Sequence, residues 1–291
     1  MRALVTGANG FIGSAIVSEL AKRGNTVTGM VRHLDSGKRI SWEAIQADLR
    51  EPSSVSAALR DRTFDVVVDA AAVIPTGNTE DEDYFDNITM SRNIMKALDE
   101  RFPLLVIKLS TVDVYKILGV ITEQTEVAPQ NYYSLSKRIS EQFVELWGTH
   151  HNVPICILRL GQIFGKGDRS RKFIPSVIRS IKETQTAIVN GDGQDLRDYL
   201  FIDDVGRIIA DFCEIKAGGT FNVAAGRSYS LIDMITMLRE IADRNFDIEY
   251  RSRTKPRIDY VFDISKLTSA LGDIKMTPLH EALRKAYYEG T

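Results

Sequence analysis

The chain has 291 residues, of which 44% are hydrophobic and 26% are charged, a composition typical of a globular protein with a large buried core. Lysine and arginine (37) nearly balance aspartate and glutamate (39), and because a net charge of -2 supplies no strong positive field, we expect neither a nucleic acid nor a membrane as partner. The two cysteines do not have the spacing of metal ligands, so we expect no metal site. The sequence shows neither a cleavable leader nor an apolar stretch long enough to span a bilayer, and it therefore predicts a cytoplasmic protein.

Short runs of β-branched residues alternate with longer helical patterns through the first half of the chain. The predicted strands are residues 3–5, 26–30, 45–47, 66–69, 104–109 and 153–160, and the predicted helices include residues 11–21, 87–98 and 134–147. Strands that alternate with helices form a parallel sheet covered on both faces. We therefore predict an α/β fold with a doubly wound parallel sheet. A dinucleotide-binding domain is expected at residues 1–160, and a smaller, partly interleaved substrate-binding region at residues 161–291.

A glycine-rich turn follows the first predicted strand and opens the first predicted helix. Glycine permits a tight turn and lets a diphosphate approach the amide groups at a helix N-terminus, where the helix dipole favours anions. Strand, turn, helix and second strand have the lengths of a Rossmann unit, so the turn predicts NAD(P) binding rather than a simple strand-to-helix connection. The residues of the turn are Gly7, Ala8, Asn9, Gly10, Phe11, Ile12 and Gly13.

The end of the second predicted strand indicates which dinucleotide is bound. NAD-selective sites usually place an acidic residue there to accept hydrogen bonds from the adenosine ribose. Val31 and then Arg32 stand at this place, and an arginine fork is suited to a 2'-phosphate. The sequence thus favours NADP over NAD, with a solvent-exposed surface arginine as the alternative interpretation.

A tyrosine and a lysine one helical turn apart are the candidate catalytic pair. Tyr133 is the only tyrosine in the chain with a lysine, Lys137, four residues further on. A free phenol has a pKa of about 10, and we expect the ammonium of Lys137, together with an oxidised nicotinamide, to lower it. The phenol could then exchange a proton with a substrate hydroxyl or carbonyl. Taken alone, the pair would also suit an exposed helical surface.

These motifs together resemble the extended short-chain dehydrogenases/reductases, in particular the nucleotide-sugar epimerases, dehydratases and reductases, and the resemblance extends over essentially the whole chain. It implies that Tyr133 and Lys137 are catalytic and also contact the cofactor. It further implies that Thr111 is the third catalytic residue, with a hydroxyl that hydrogen-bonds the reacting oxygen of the substrate. The other cofactor contacts that it implies are Asp48 and Leu49 beside the adenine and Ala70, Ala71 and Ala72 beneath the cofactor.

Three residues of the second half are similar to substrate-contacting positions of that family. Gln162 stands where an asparagine is usual, while Arg197 and Arg257 match two arginines that contact the nucleotide diphosphate in relatives. Two guanidinium groups on one diphosphate are chemically sensible, because each can bind bidentately. The resemblance thus implies a nucleotide-diphosphate sugar as substrate, and a homodimer formed through helices near residues 83–98 and 134–147.

Three functions fit this resemblance. Dehydratases of the family follow the catalytic threonine with Asp and Glu, whereas this chain has Val112 and Asp113, so we do not expect dehydration. The first hypothesis is a reductase in which Tyr133 protonates, and Thr111 steadies, a nucleotide-linked 4-keto-(6-deoxy)sugar. The second is a nucleotide-sugar 4-epimerase with tightly bound NAD. The third is an NADP-sensing regulator without turnover, although such proteins commonly lack the tyrosine.

Overall fold

A computed structural model describes residues 1–34, 40–75, 80–98, 101–170, 172–253 and 256–290. The described residues form a seven-stranded parallel sheet and three smaller sheets. The strands of the large sheet, taken in chain order, are β1 (Arg2–Thr6), β2 (Thr26–Val31), β3 (Glu43–Gln46), β4 (Val66–Asp69), β5 (Leu105–Thr111), β7 (Ile155–Leu160) and β11 (Gly219–Val223).

The strand order of the large sheet is β11-β7-β5-β4-β1-β2-β3, with every neighbouring pair parallel. The chain builds β1, β2 and β3 in one direction and then crosses back to β4 on the other side of β1. In such a sheet ligands bind beyond the carboxyl ends of the strands at the point of reversal, here between β1 and β4. The doubly wound α/β fold predicted from the alternation of elements is confirmed.

Helices cover both faces of this sheet. The helices of the described residues are α1 (Phe11–Lys22), α2 (Pro52–Leu59), α3 (Asp86–Ala97), α4 (Tyr132–His151), α5 (Phe173–Thr184), α6 (Ile202–Ile215), α7 (Leu231–Ala242), α8 (Ser265–Leu271) and α9 (Leu279–Glu289), of which α5, α7 and α9 pack with the smaller sheets. Alternate residues of β1 point to opposite faces of the sheet. Ala3 and Val5 belong to the same core cluster as Ile16 of α1, whereas Leu4 belongs to that of Ile94 of α3. Burial of both faces explains why the central strands β1, β4 and β5 are mostly apolar.

The second half supplies both part of the large sheet and the smaller sheets. Strand β11 pairs with β7, so residues 219–223 complete one edge of the large sheet. The smaller sheets contain β6 (Val120–Ile121) with β14 (Val261–Phe262), β9 (Thr186–Asn190) with β13 (Asp247–Arg251), and β10 (Leu196–Phe201) between β8 (Gln162–Phe164) and β12 (Ser228–Ser230). All strands of these short sheets except β6 lie in residues 161–291.

Some predicted boundaries are wrong by a few residues, for local reasons. Helix α4 begins at Tyr132 rather than at residue 134, because the Asn131 side chain accepts a 2.8 Å hydrogen bond from the Ser134 amide and caps the helix. It ends at His151 rather than at residue 147, and Asn152 then adopts a left-handed conformation that stops it. Among the described residues no helix is long and apolar enough to cross a bilayer.

Candidate active site

The glycine turn between β1 and α1 is packed so closely that side chains would not fit at Gly7 or Gly13. Gly7 has a φ of +65°, and a Cβ on Gly13 would lie 2.1 Å from the carbonyl oxygen of Gly7. The helix begins at Gly10, whose position carries no side-chain cap, so its first amide groups keep their capacity to bind an anion. The turn therefore fits the diphosphate of a dinucleotide.

The segment after β4 closes against this turn. The Thr6 hydroxyl accepts 2.9 Å hydrogen bonds from the amides of both Ala70 and Ala71. A Cβ on Gly7 would approach the Cα of Ala71 to 3.0 Å, so the two backbones are in close contact. Ala70, Ala71 and Ala72 are half-buried and lie beside the point of sheet reversal, where the resemblance placed them.

A cavity at the ends of β2 and β3 contains the residues expected near the adenosine. Arg32, Asp48 and Arg50 line it together with His33 and Ser54. Arg50 binds Asp48 with two hydrogen bonds of 3.0 and 2.7 Å, and this contact lowers the pKa of Asp48 to about 2. Arg32 is exposed at the mouth of the cavity, whereas the Leu49 side chain is buried and turns away from solvent.

The three candidate catalytic residues come together at the carboxyl end of β5. Thr111 is the last residue of β5 and lies close enough to the half-buried Tyr133 to act on the ionisation of its phenol. Lys137 follows one turn along α4, and 3% of its surface is exposed. The ring of Tyr84 meets that of Tyr133 edge-on, with their centroids 5.9 Å apart. The end of β5 and the first turns of α4 thus bring an acid and a hydroxyl together, with a buried amine one helical turn further on.

The charge environment differs from the one expected from the sequence. Burial raises the pKa of Tyr133 above its ordinary value, the negative charge of Asp113 raises it further, and the hydrogen bond with Thr111 opposes both. Burial also lowers the pKa of Lys137 to about 7, and the charge of Lys108 adds to this effect. The lowering of the pKa of Tyr133 by Lys137 together with an oxidised nicotinamide stays a prediction for the complex with cofactor, since in this structure desolvation and the charge of Asp113 raise that pKa.

A second cavity lies between α5, β9 and β10, and it contains one of the two expected arginines. Arg197 lines it with its guanidinium 5.3 Å from the ring centre of Tyr260. Arg253 also lines it and is held by Asp195 at 2.9 Å and by Asp192 at 2.9 Å. These two guanidinium groups are suited to one diphosphate.

Neither Gln162 nor Arg257 is among the described residues that line the second cavity. Gln162 is half-buried at the start of β8 and pairs with Tyr199 of β10, so it lies on the strand next to that of Arg197. Arg257 is exposed and forms hydrogen bonds of 3.0 and 3.1 Å with Asp259. Arg253, which the sequence analysis did not single out, lines this cavity beside Arg197.

Comparison with known proteins gives one family. The model described as "NAD dependent epimerase/dehydratase family" matches residues 3–224. The chain is 25% identical over 329 residues to dTDP-glucose 4,6-dehydratase 1 of Escherichia coli, covering 98% of this chain and 91% of that protein. It is also 25% identical over 301 residues to GDP-6-deoxy-D-talose 4-dehydrogenase of Aggregatibacter actinomycetemcomitans, covering 99% and 97%.

Solved structures give the same fold. UDP-glucuronic acid 4-epimerase from Bacillus cereus, solved with UDP-glucuronic acid and NAD, superposes with a TM-score of 0.87 at 25% identity, covering 99% of this chain and 98% of that one. UDP-glucose 4-epimerase from Thermotoga maritima, solved with UDP-glucose, superposes with a TM-score of 0.89 at 21% identity, again covering 99% and 98%. The latter likeness shows the fold alone.

Proposed function

Because the chain belongs to the NAD-dependent epimerase/dehydratase family, we propose that it is an NAD(P)-dependent oxidoreductase acting on a nucleotide-diphosphate sugar. One observation supports this more than any other. Thr111 ends β5 beside Tyr133 of α4, close enough to act on the ionisation of the phenol, and the buried Lys137 follows one turn along α4. The carboxyl ends of β4 and β1, with the glycine turn, lie beside it in the same sheet.

The reaction that we propose is reduction of a keto carbon, C4 of a nucleotide-linked 6-deoxysugar. When bound, a reduced nicotinamide would supply the hydride that the carbonyl carbon accepts. Tyr133, whose pKa is raised, is protonated at neutral pH and donates its proton to the carbonyl oxygen. Thr111 donates a hydrogen bond to the same oxygen as its negative charge develops. The carbonyl thus gains one hydride and one proton and becomes an alcohol.

The residue after Thr111 favours reduction over dehydration. Val112 stands where the resemblance implies an aspartate in dehydratases, and its side chain is buried. An isopropyl group can neither protonate a departing hydroxyl nor remove a proton from carbon. The likeness to a named 4-dehydrogenase agrees with this choice, since oxidation of an alcohol at position 4 is the reverse of the proposed reduction.

We assign recognition of the substrate diphosphate to Arg197 and Arg253. Both line the cavity beside α5, and Arg253 is oriented by Asp192 and Asp195. Two aspartates on one guanidinium leave part of its fork free to bind phosphate oxygens in the cavity. Arg257 lies outside this arrangement, and its partner is Asp259.

The cofactor that we propose is NADP. The cavity that contains Arg32 also contains His33 and Arg50, whereas the end of β2 carries Val31 in place of an acid. Arg50 neutralises Asp48, so that carboxylate does not repel a 2'-phosphate. The relatives with NAD in their names or titles support a nicotinamide dinucleotide in general, and Arg32 supports the phosphorylated form.

The experiment mixes purified protein with NADPH and a panel of nucleotide 4-keto-6-deoxysugars that differ in nucleobase. The proposal predicts loss of the reduced-nicotinamide absorbance with one or more of them, together with the corresponding 4-hydroxy sugar. Replacing NADPH by NADH tests the cofactor in the same assay. Absence of oxidation with every sugar would contradict the reductase assignment.

A 4-epimerase is the second candidate, because the solved structures that resemble the chain include a named UDP-glucuronic acid 4-epimerase at 25% identity. In that reaction Tyr133 would first accept the proton of the C4 hydroxyl and later return it to the inverted alcohol. The site residues described above suit both chemistries. Interconversion of UDP-sugars without added nicotinamide, with NAD released on denaturing fresh protein, would favour the epimerase.

We also propose that the protein is a homodimer formed through α3 and α4. Leu135 and Leu146 of α4 are 40% and 57% exposed, and their spacing of three helical turns puts them on one face. Sedimentation of the wild type and of Leu135→Glu/Leu146→Glu tests this proposal, because charges in the interface should yield monomers.

The third hypothesis, a regulator without turnover, predicts an inert Tyr133, and nothing in the site favours it.

A further inference from the structure

The side chain of Tyr260 contacts a residue of the second cavity and also the turn that follows β5. Tyr260 is half-buried and lies directly before β14. The guanidinium of Arg197 lies 5.3 Å from the centre of its ring. Its hydroxyl donates a 3.2 Å hydrogen bond to Oδ1 of Asp113. One side chain therefore joins the cavity that was assigned to the substrate diphosphate to the turn beside Thr111.

The backbone of Tyr260 is bonded to the small sheet that carries Arg197. Its amide donates a 2.9 Å hydrogen bond to the carbonyl oxygen of Leu196, the neighbour of Arg197 on β10. Its carbonyl oxygen accepts a 2.8 Å hydrogen bond from the hydroxyl of Ser228, the first residue of β12. Because both backbone groups are bonded to adjacent strands of one sheet, the ring keeps its place beside Arg197.

The guanidinium of Arg197 is oriented by the same segment. It donates a 2.9 Å hydrogen bond to the carbonyl oxygen of Leu196 and another hydrogen bond to that of Ile258, two residues before Tyr260. A cation over a tyrosine ring is attracted by the negative potential of the ring face, and the attraction grows when water is excluded. Phosphate oxygens in the cavity would therefore meet a guanidinium that already lies against Tyr260.

At its other end, Tyr260 holds the turn that is bonded to Thr111. Asp113 is the middle residue of the short 3₁₀ helix Val112–Val114, and its amide donates a 3.2 Å hydrogen bond to Oγ1 of Thr111. The ring of Tyr260 packs against the apolar cluster to which the two valines of this helix belong. A phenylalanine ring would fill the same space, so packing alone does not require the hydroxyl at this position.

The amide bonded to Oγ1 affects where the hydroxyl proton of Thr111 points. A hydroxyl has one proton to donate and two lone pairs that accept. Because the Asp113 amide occupies one lone pair, the proton of Thr111 stays available for another acceptor, and the bond to the amide makes it a better donor. In the proposed reduction that acceptor is the carbonyl oxygen of the sugar. A displaced turn would aim Thr111 away from this oxygen.

We propose that Tyr260 is a positioning residue that joins recognition of the substrate diphosphate to the placement of Thr111. When Arg197 binds phosphate oxygens, its guanidinium is fixed against the ring of Tyr260. The hydroxyl on that ring holds Asp113, whose amide orients Thr111. A nucleotide-linked sugar thus stabilises the turn that acts on it, whereas a free sugar lacks the group that Arg197 binds. This role rests on the proposed function, which assigns Arg197 to the diphosphate and Thr111 to the reacting oxygen.

The first measurement needs neither ligand nor turnover. Exchange of the Asp113 amide hydrogen with solvent is followed by NMR, because this amide reports on its bond to Thr111. Tyr260→Phe keeps the ring and removes only the hydroxyl, and we expect it to speed the exchange by roughly two- to tenfold. Tyr288→Phe is the matched control, since it removes the 2.8 Å hydrogen bond of another tyrosine hydroxyl, to the carbonyl oxygen of Ile241. The control should exchange as the wild type does.

The second measurement adds UDP, GDP or dTDP at saturation, with Kd measured by calorimetry. In the wild type the bound nucleotide should slow the exchange of the Asp113 amide by roughly twofold or more. Tyr260→Phe should bind the nucleotide with the wild-type Kd, because its ring remains beside Arg197, and its exchange should not respond. Tyr260→Leu removes the ring as well and should weaken binding by roughly two- to fivefold.

The kinetic constants separate positioning from binding. With the 4-keto sugar that the protein reduces, Tyr260→Phe should lower kcat by roughly tenfold and leave KM nearly unchanged, whereas Arg197→Ala should raise KM. If Tyr260→Phe does not fold, Asp113→Ala removes the same hydrogen bond from the acceptor side and keeps the reporting amide.

An exchange rate at residue 113 that does not respond to loss of the Tyr260 hydroxyl would overturn the proposal. So would a wild-type exchange rate that a bound nucleotide leaves unchanged. If calorimetry shows that none of the three nucleotides binds, the proposed substrate class fails and the coupling fails with it. The ligand-free rates would still show whether Tyr260 holds the turn, so the two failures are distinguishable.

Discussion

The hydroxyl of Tyr260 donates a 3.2 Å hydrogen bond to the carboxylate of Asp113, and so joins the segment before β14 to the turn that follows β5. The Asp113 amide in turn donates to the hydroxyl of Thr111 at 3.2 Å. The carboxylate of Asp113 lies near the phenol of Tyr133, and its negative charge disfavours the ionised form of that phenol. The acidity of the candidate proton donor is therefore set partly by Asp113.

Asp113→Asn should change the pH dependence of catalysis. Without the negative charge the pKa of Tyr133 falls, and because reduction requires the protonated phenol, its rate should begin to decline at a pH lower by roughly one unit. The measurement is kcat/KM for reduction from neutral to alkaline pH. Asp61→Asn, at a carboxylate that is 81% exposed and bound to Arg101, is the matched control. Coinciding profiles for Asp113→Asn and wild type would refute this role.

Arg32→Gln should weaken the binding of NADP and leave that of NAD unchanged. A lost charge-assisted contact to the 2'-phosphate corresponds to about 1.5–3 kcal/mol, or roughly 10- to 100-fold in Kd. Calorimetric titration with each dinucleotide measures the difference. Arg60→Gln, at an exposed arginine outside the cavity, is the control. Equal losses for both dinucleotides would show that Arg32 does not discriminate between them.

Arg253 and Arg257 offer a direct comparison of two arginines four residues apart. Arg253→Ala and Arg197→Ala should each weaken nucleoside-diphosphate binding by roughly tenfold or more, since both guanidinium groups line the cavity. Arg257→Ala removes only the contact with Asp259 and should bind the nucleotide as the wild type does. Thermal shifts with UDP, GDP and dTDP provide the measurement. The reverse ranking would restore the assignment made from the sequence.

Asp69 of β4 and Lys108 of β5 form a 2.7 Å ion pair that is inaccessible to solvent, and this buried pair should be visible in the free energy of unfolding. Lys108→Met leaves a carboxylate unpaired in the sheet and should cost about 3–5 kcal/mol. Asp69→Leu/Lys108→Met removes both charges and should recover most of that loss. Urea unfolding at neutral pH measures both values. If the double variant is as unstable as the single one, packing rather than the unpaired charge explains the loss.

The central strands of the large sheet, such as β4 and β5, could be predicted because each is a run of mostly β-branched apolar residues that is buried on both faces. Strand β11 at the edge was not predicted, since Gly219–Val223 carries no such run. The short sheets could not, because their pairing joins distant segments whose own sequences carry little pattern. Strand β12, for example, is Ser228, Tyr229 and Ser230, and it becomes a strand only by pairing with β10.

In the candidate site, too, some residues could be predicted from local spacing and others depend on contacts between distant segments. Tyr133, Lys137 and the glycine turn follow from local spacing, whereas the choice of Arg253 over Arg257 depends on contacts with Gly191 and Asp192, far away in the chain. A local signal did exist for the buried pair, since Asp69 and Lys108 each interrupt an apolar strand. Two opposite charges on strands that fold side by side could have been matched from the predicted sheet.

The proton transfer assigned to Tyr133 is tested most directly by comparing Tyr133→Phe with Tyr132→Phe in the reduction of the active 4-keto sugar. Tyr132 is the preceding residue and is 51% exposed, so its hydroxyl serves as a matched control. The account predicts that Tyr133→Phe loses turnover by roughly 100- to 10,000-fold while binding the dinucleotide normally, and that Tyr132→Phe behaves as the wild type. Full turnover by Tyr133→Phe would contradict it.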